Sequence, residues 1–277
     1  MFKMVFLQFL YDLSDGEMEE QAAFNLVCKW FLGLSAEELP PDHTVLCRFR
    51  QRLGPEGFET RFNQVVEQAR NRGFITDRLH IIDSTQIIAR VDLFRLQKEH
   101  KSKDKGDDDG HYLDRHSPDL DARFGGKTPK KGFYGYKCHV VEDADSEFIV
   151  QALTTSGNVP DGSALPALAQ PQAKELTGDK AYDSKTNRSH LEALGVVPGL
   201  YPRFPRPGRP RKSWRERPKI ERKFAECKQF HGLRRARYWG LGRVAIQTLM
   251  VALVVNLKRW VTLLKLRSPA CSWPSVA

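Results

Sequence analysis

Apolar residues recur at intervals of three and four through LSDGEMEEQAAFNLVCKWFLGL (Leu13 to Leu34), the period of an amphipathic helix. Ser14 precedes Glu17 by three residues, the spacing of a capping box. In PPDHTVLCRFRQRLGPEGF the pattern repeats: Asp42 follows two prolines as an N-cap, Val45, Leu46, Phe49 and Leu53 form one side, and Gly54-Pro55 stop the helix. Arg48, Arg50 and Arg52 must point elsewhere. A third helix is expected from Pro55 to Asn71, ending at Gly73.

The period then changes. RLHIIDSTQIIARV is a near-continuous, isoleucine-rich apolar run, the pattern of a strand covered on both faces, with Asp83 in its middle. From Lys98 to Gly132 the chain is polar and aperiodic, which predicts a long loop. Tyr136–Val141 and Phe148–Thr154 read as two strands of a hairpin joined by an Asp-rich turn. A proline-interrupted helix, a strand ending in LTGDKAYDS, a helix through Leu194 and a short strand VVPGLYP follow. After a basic, proline-punctuated linker from Arg203, two helices close the chain. Right-handed crossovers would set the first strand beside the fourth and bring Asp83 to Asp179.

The apolar run VAIQTLMVALVVNL falls short of the roughly 20 residues needed to span a bilayer and reads as a core helix. The five cysteines are scattered, with no C-x-x-C pair, which argues against a disulfide framework or zinc ribbon and fits a reducing, cytoplasmic setting. Lys and Arg number 44 against 34 Asp and Glu, a formal charge of +10 that favours a polyanionic partner.

Distribution sharpens that. At the helical pitch Trp214, Arg217, Glu221 and Lys228 share one arc, beside an apolar stripe of Ile220, Phe224 and Cys227. Pro218 suits a first helical turn, so Trp214 and Arg217 fall before the helix. Positive charge continues through Arg222, Arg234 and Arg235, with Phe230, Tyr238 and Trp239 interleaved, a pattern suited to phosphates and bases. A buried carboxylate such as Asp83 costs several kcal/mol unless paired or bound to metal. Asp83, Asp179 and Glu221 converging would need a cation, and an all-oxygen donor set favours Mg²⁺ or Mn²⁺. Asp183 is expected to cap the helix after the second aspartate. His111, His116 and Asp107 to Asp109 suggest solvated loop positions more than ligands.

The spacing Trp214, Arg217, Glu221, Lys228 resembles the YREK signature of DDE transposases of bacterial insertion sequences, with tryptophan at the tyrosine position. The N-terminal helices, the segment from Asp119 to Val150, and TGDKAYDS extend the resemblance over most of the chain. It implies an α/β fold, an RNase H-like mixed sheet flanked by helices over residues 74–268, preceded by a small helical DNA-binding domain over residues 1–73. It implies Asp83, Asp179 and Glu221 as catalytic, metal-binding acids holding two ions, and Trp214, Arg217, Lys228, Arg222, Arg234, Arg235, Arg48 and Arg50 as DNA contacts. Double-stranded DNA, as terminal inverted repeats and target, is the implied partner, with a homodimer in a synaptic complex, no membrane, and a place on the bacterial nucleoid. A catalytically inactive, transposase-derived DNA-binding protein and a generic nuclease are the competing readings.

Overall fold

The structure, a computed structural model, describes residues 1–96, 98, 115–126, 132–203 and 212–267. Helices α1 (Phe2–Leu10), α2 (Asp15–Phe24), α3 (Leu26–Leu32) and α4 (His43–Asn71) come first. The Ser14–Glu17 capping box starts α2 as expected. The single helix expected from there to Leu34 is in fact two, because the Asn25 side chain accepts from the N–H groups of Val27 and Cys28 and caps α3 anew. Gly54, at φ 64°, kinks α4 where a full stop was expected, and Pro55 starts the second half.

The sheet is built from β1 (His80–Ile88), β2 (Arg123–Gly126), β3 (Gly132–Asp143), β4 (Ile149–Ser156), β5 (Glu175–Gly178) and β6 (Val197–Pro198). Its order is β2-β3-β1-β5-β6, with β4 also on β3. β1, β3 and β4 form an antiparallel meander, whereas β5 runs parallel to β1 and β6 parallel to β5. β2 lies within the stretch expected to be loop, its ladder to β3 supplied by the main chain and not by an apolar pattern. β3 starts four residues before the expected strand and runs two residues beyond its expected end at Val141, through Glu142 and Asp143.

A short helix α5 (Leu165–Leu168) and α6 (Lys185–Ala193) carry the crossovers to β5 and β6. Ser184, and not Asp183, caps α6; Asp183 instead pairs with Arg188 and accepts the Arg203 N–H. α7 (Pro218–Phe230) packs on β1, and α8 (Leu241–Arg267) packs on α4 and β4 with Val244, Met250, Val251 and Val254 buried. The apolar run is thus a core helix, and no described helix is long and apolar enough to cross a membrane. Most of the linker after Arg203, together with His111 and Asp107 to Asp109, falls outside the described residues.

Candidate active site

The parallel register decides what stands beside Asp83. Ile81 pairs with Thr177 and Ile82 with Gly178, so the next step along both strands sets Asp83 against Asp179 just past the end of β5. Gly178 permits this approach, since a Cβ there would lie 2.6 Å from Ile82 Cγ2. The bare glycine lets the strands close.

Arg217, the residue before α7, joins the two aspartates. Its guanidinium lies 3.4 Å from Asp83 Oδ2 and 3.9 Å from Asp179 Oδ1. The same group sits 5.4 Å over the Tyr201 ring, and Tyr201 stacks on Trp214 at 4.2 Å. Trp214 Nε1 donates to Gly199 O at 2.8 Å, so this indole is fixed in the wall that holds Arg217. Trp214 also precedes the helix, in a 3-10 turn at Lys212–Glu216, as Pro218 predicted.

The remaining bonds are local. Asp83 accepts the Ser84 N–H at 2.8 Å, and Asp179 accepts the Lys180 N–H at 2.6 Å while capping a turn of 3-10 helix. Burial pushes the Asp83 carboxyl above the ordinary range and the Asp179 charge adds to this; the Ser84 N–H and Arg217 offset only part. Charge here is under-compensated. Burial, with the charges of Asp83, Asp161 and Asp179, also holds the Tyr182 phenol far above its usual ionisation.

Glu221 stands one turn beyond Arg217 in the first turn of α7, exposed and without a hydrogen bond or ion pair among the described residues. Asp83, Asp179 and Glu221 are not among the described groups whose ligand atoms all lie within 4.8 Å of one another; those are Glu19–Asp42–His43 and Asp77–His80–Asp143. The buried second group has filled acceptors. Arg70 Nε and Nη2 reach Asp77 at 2.7 and 3.1 Å, His80 Nε2 is 2.9 Å from Asp77, and Asp143 accepts from Asp77 N, Ser146 N and Ser146 Oγ.

The cations divide into free and committed ones. Arg48, Arg222, Arg234 and Arg235 are exposed. Lys228 is half-buried, and burial together with Arg234 lowers its pKa. Arg50 is 5% exposed and is committed to Asp15, with Nη1 also 3.2 Å from Gln8 Oε1. Sequence reasoning missed Tyr201 and Tyr182, although Tyr182 stands three residues past Asp179 in the same motif.

A meander of three strands flanked by two parallel ones, with an aspartate inside the first strand and another at the tip of its parallel neighbour, defines an RNase H-like domain. The chain belongs to the family described as "Transposase DDE domain", which matches residues 74–257. A second description, "Transposase domain (DUF772)", matches residues 1–52. The chain is 29% identical over 174 residues to the transposase for insertion sequence element IS1106 of Neisseria meningitidis serogroup B. That match covers 54% of this chain and 56% of the relative, so the chain spans about half of that protein's length. A cryo-EM structure of the piggyBac transposase synaptic complex with hairpin DNA aligns over 94% of this chain and 65% of its own at 10% identity, with a TM-score of 0.40.

Proposed function

We propose that the protein cleaves DNA at the ends of an insertion sequence and transfers the freed strand to target DNA. The observation that carries this reading is the approach of Asp83 and Asp179 at adjoining positions of β1 and β5, with α7, the helix that bears the exposed Glu221, packed against β1. The donor set is oxygen alone and Asp83 is under-compensated, which fits hard divalent ions. Asp83, Asp179 and Glu221 would hold Mg²⁺ or Mn²⁺, and two such ions supply activation of the attacking oxygen and stabilisation of the leaving oxygen.

The protein's own groups do the rest. Arg217 balances the two aspartates until cations enter, and Tyr201 and Trp214 keep it at that post. Arg48, Arg222, Arg234, Arg235 and Lys228 offer positive charge for duplex phosphates, and binding should fall steeply with salt. Terminal inverted repeats are the proposed substrate and a homodimer on paired ends the proposed assembly. Residues 1–73 are proposed as the end-binding unit and 74–268 as the catalytic one.

The test is incubation of purified protein with the DNA flanking its own gene. Metal-dependent nicks at the element ends are expected, and Glu221→Gln should abolish them. Equal cutting by Glu221→Gln would remove Glu221 from the site, and cutting without end preference would favour a general nuclease.

A further inference from the structure

Between α7 and α8 the chain crosses the end of β1 and is clamped to it. Ile88 N–H donates to Arg234 O at 3.1 Å and Ala236 N–H donates to Ile88 O at 2.8 Å. Leu233 and Ala236 are buried by this bridge, whereas Arg234, Arg235 and Trp239 stay exposed. Trp239 is 49% exposed, yet its Nε1 donates to Arg90 O at 2.9 Å. An indole whose polar edge is tied to backbone while its ring faces water is a fixed apolar surface, not a mobile side chain.

Around it is a cleft of 330 Å³ lined by Arg90, Arg237, Tyr238, Trp239 and Arg243. Arg237 is neutralised by Asp12. Arg90 and Arg243 have no carboxylate partner among the described residues. Arg90, Arg237 and Tyr238 also line a neighbouring cleft of 760 Å³ that carries Lys228, Arg234 and Arg235 on the side of α7 and Asp12, Asp15 and Glu17 on the side of α2, with Asp12 and Asp15 paired to Arg237 and Arg50. At the rise of a strand, Arg90 lies roughly 23 Å along the chain direction from Asp83.

Arg90 Nη1 reaches Arg237 O at 3.5 Å, which leaves its charge unneutralised, and two such guanidinium groups flanking a held aromatic ring do not suit an apolar partner. They suit a polyanion with flat apolar parts. In a duplex the base faces are covered by their neighbours, so stacking on Trp239 requires an unpaired base. We propose that this cleft is a subsite for an unpaired nucleotide of single-stranded DNA, its base stacked on Trp239 and its phosphates held by Arg90 and Arg243. The proposal rests on DNA being the substrate but not on the three acids.

The test is anisotropy of a labelled oligothymidylate and of a labelled duplex with the parent, Trp239→Ala, Trp239→Phe and Arg243→Glu, each checked for folding by circular dichroism. The parent should bind the oligothymidylate and lose intrinsic fluorescence. Trp239→Ala should weaken that binding roughly tenfold or more while changing duplex binding by less than about threefold. Trp239→Phe, which lacks the tether but keeps a ring, should retain most of the affinity, and Arg243→Glu should weaken it with a shallower salt dependence. No oligothymidylate binding by the parent, or equal binding by Trp239→Ala, would overturn the subsite. So would a loss shared equally by the duplex. End nicking is scored separately: its absence with Trp239-dependent binding intact would count against the transposase reading alone.

Discussion

Two carboxylate groups only a few residues apart, at the start of β1 and inside it, serve opposite purposes. Before and at the start of β1, Asp77 and His80 meet Asp143 from β3 in a buried group whose carboxylates are filled by Arg70, His80, Ser146 and backbone N–H. Three residues along, Asp83 is held by one backbone N–H and shares a single guanidinium with Asp179. Their electrostatics differ accordingly. Burial opposes ionisation of Asp77, but hydrogen bonds from His80 and Arg70 outweigh it and hold its carboxyl far below the usual range. Burial at Asp83 wins over its partners and raises the carboxyl. A cluster whose carboxylates are filled secures the fold, although His80 Nδ1 is buried without a partner, and an under-compensated pair is available to a ligand.

The largest expected effect breaks the comparison on the open side. Asp83→Asn or Asp179→Asn should lower end nicking by roughly a thousandfold, since metal-centred charge stabilisation is worth several kcal/mol. Urea unfolding at neutral pH should show Asp83→Asn no less stable than the parent, because the substitution removes a buried charge whose fold raises its pKa. On the closed side, Asp77→Asn should cost roughly 1 to 3 kcal/mol, read by the same unfolding, as it removes the charge that Arg70 and His80 share while Arg70 keeps Glu67.

A third carboxylate sharpens the contrast. Glu142 is fully buried at a bulge in β3, neither of its oxygens finds a partner, and burial pushes its carboxyl up to about 7. Between its unfolded value of 4.5 and about 7 the folded chain keeps a proton that the unfolded chain has lost. Stability should therefore fall as pH rises through that window, by roughly 3 kcal/mol at about 1.4 kcal/mol per unit. Glu142→Gln should flatten the curve, seen in urea midpoints at pH 5 and 8. The smallest effect is at the groove: Lys228→Ala should weaken binding to DNA ends a few-fold and reduce the salt slope by about one.

Much of this arrangement could be read from the chain. The unbroken apolar run around Asp83, the hairpin after it and the handedness of crossovers were enough to set Asp83 beside Asp179, because each follows from local period and chain chirality. That Trp214 and Arg217 precede the helix was likewise visible, from Pro218. What escaped depended on contacts between distant segments. Arg217 could be read as a phosphate ligand, but not as the bridge between two aspartates, since that requires the start of α7 to lie over β1 and β5. Arg50 shows the same gap: its partner Asp15 is 35 residues away. Glu142 was hidden in an acidic run that reads as a turn, and β2 in a polar stretch whose pairing is made by backbone alone. Asp77 and His80, three apart ahead of the apolar run, gave a faint signal that only Asp143 completes.

The most direct test of the division between the buried Asp77 group and the Asp83 site is Mn²⁺ uptake measured by electron paramagnetic resonance on the parent, Asp83→Asn and Asp77→Asn. The account predicts that the parent and folded Asp77→Asn bind the ion while Asp83→Asn does not. Uptake that survives in Asp83→Asn and vanishes in Asp77→Asn would contradict it.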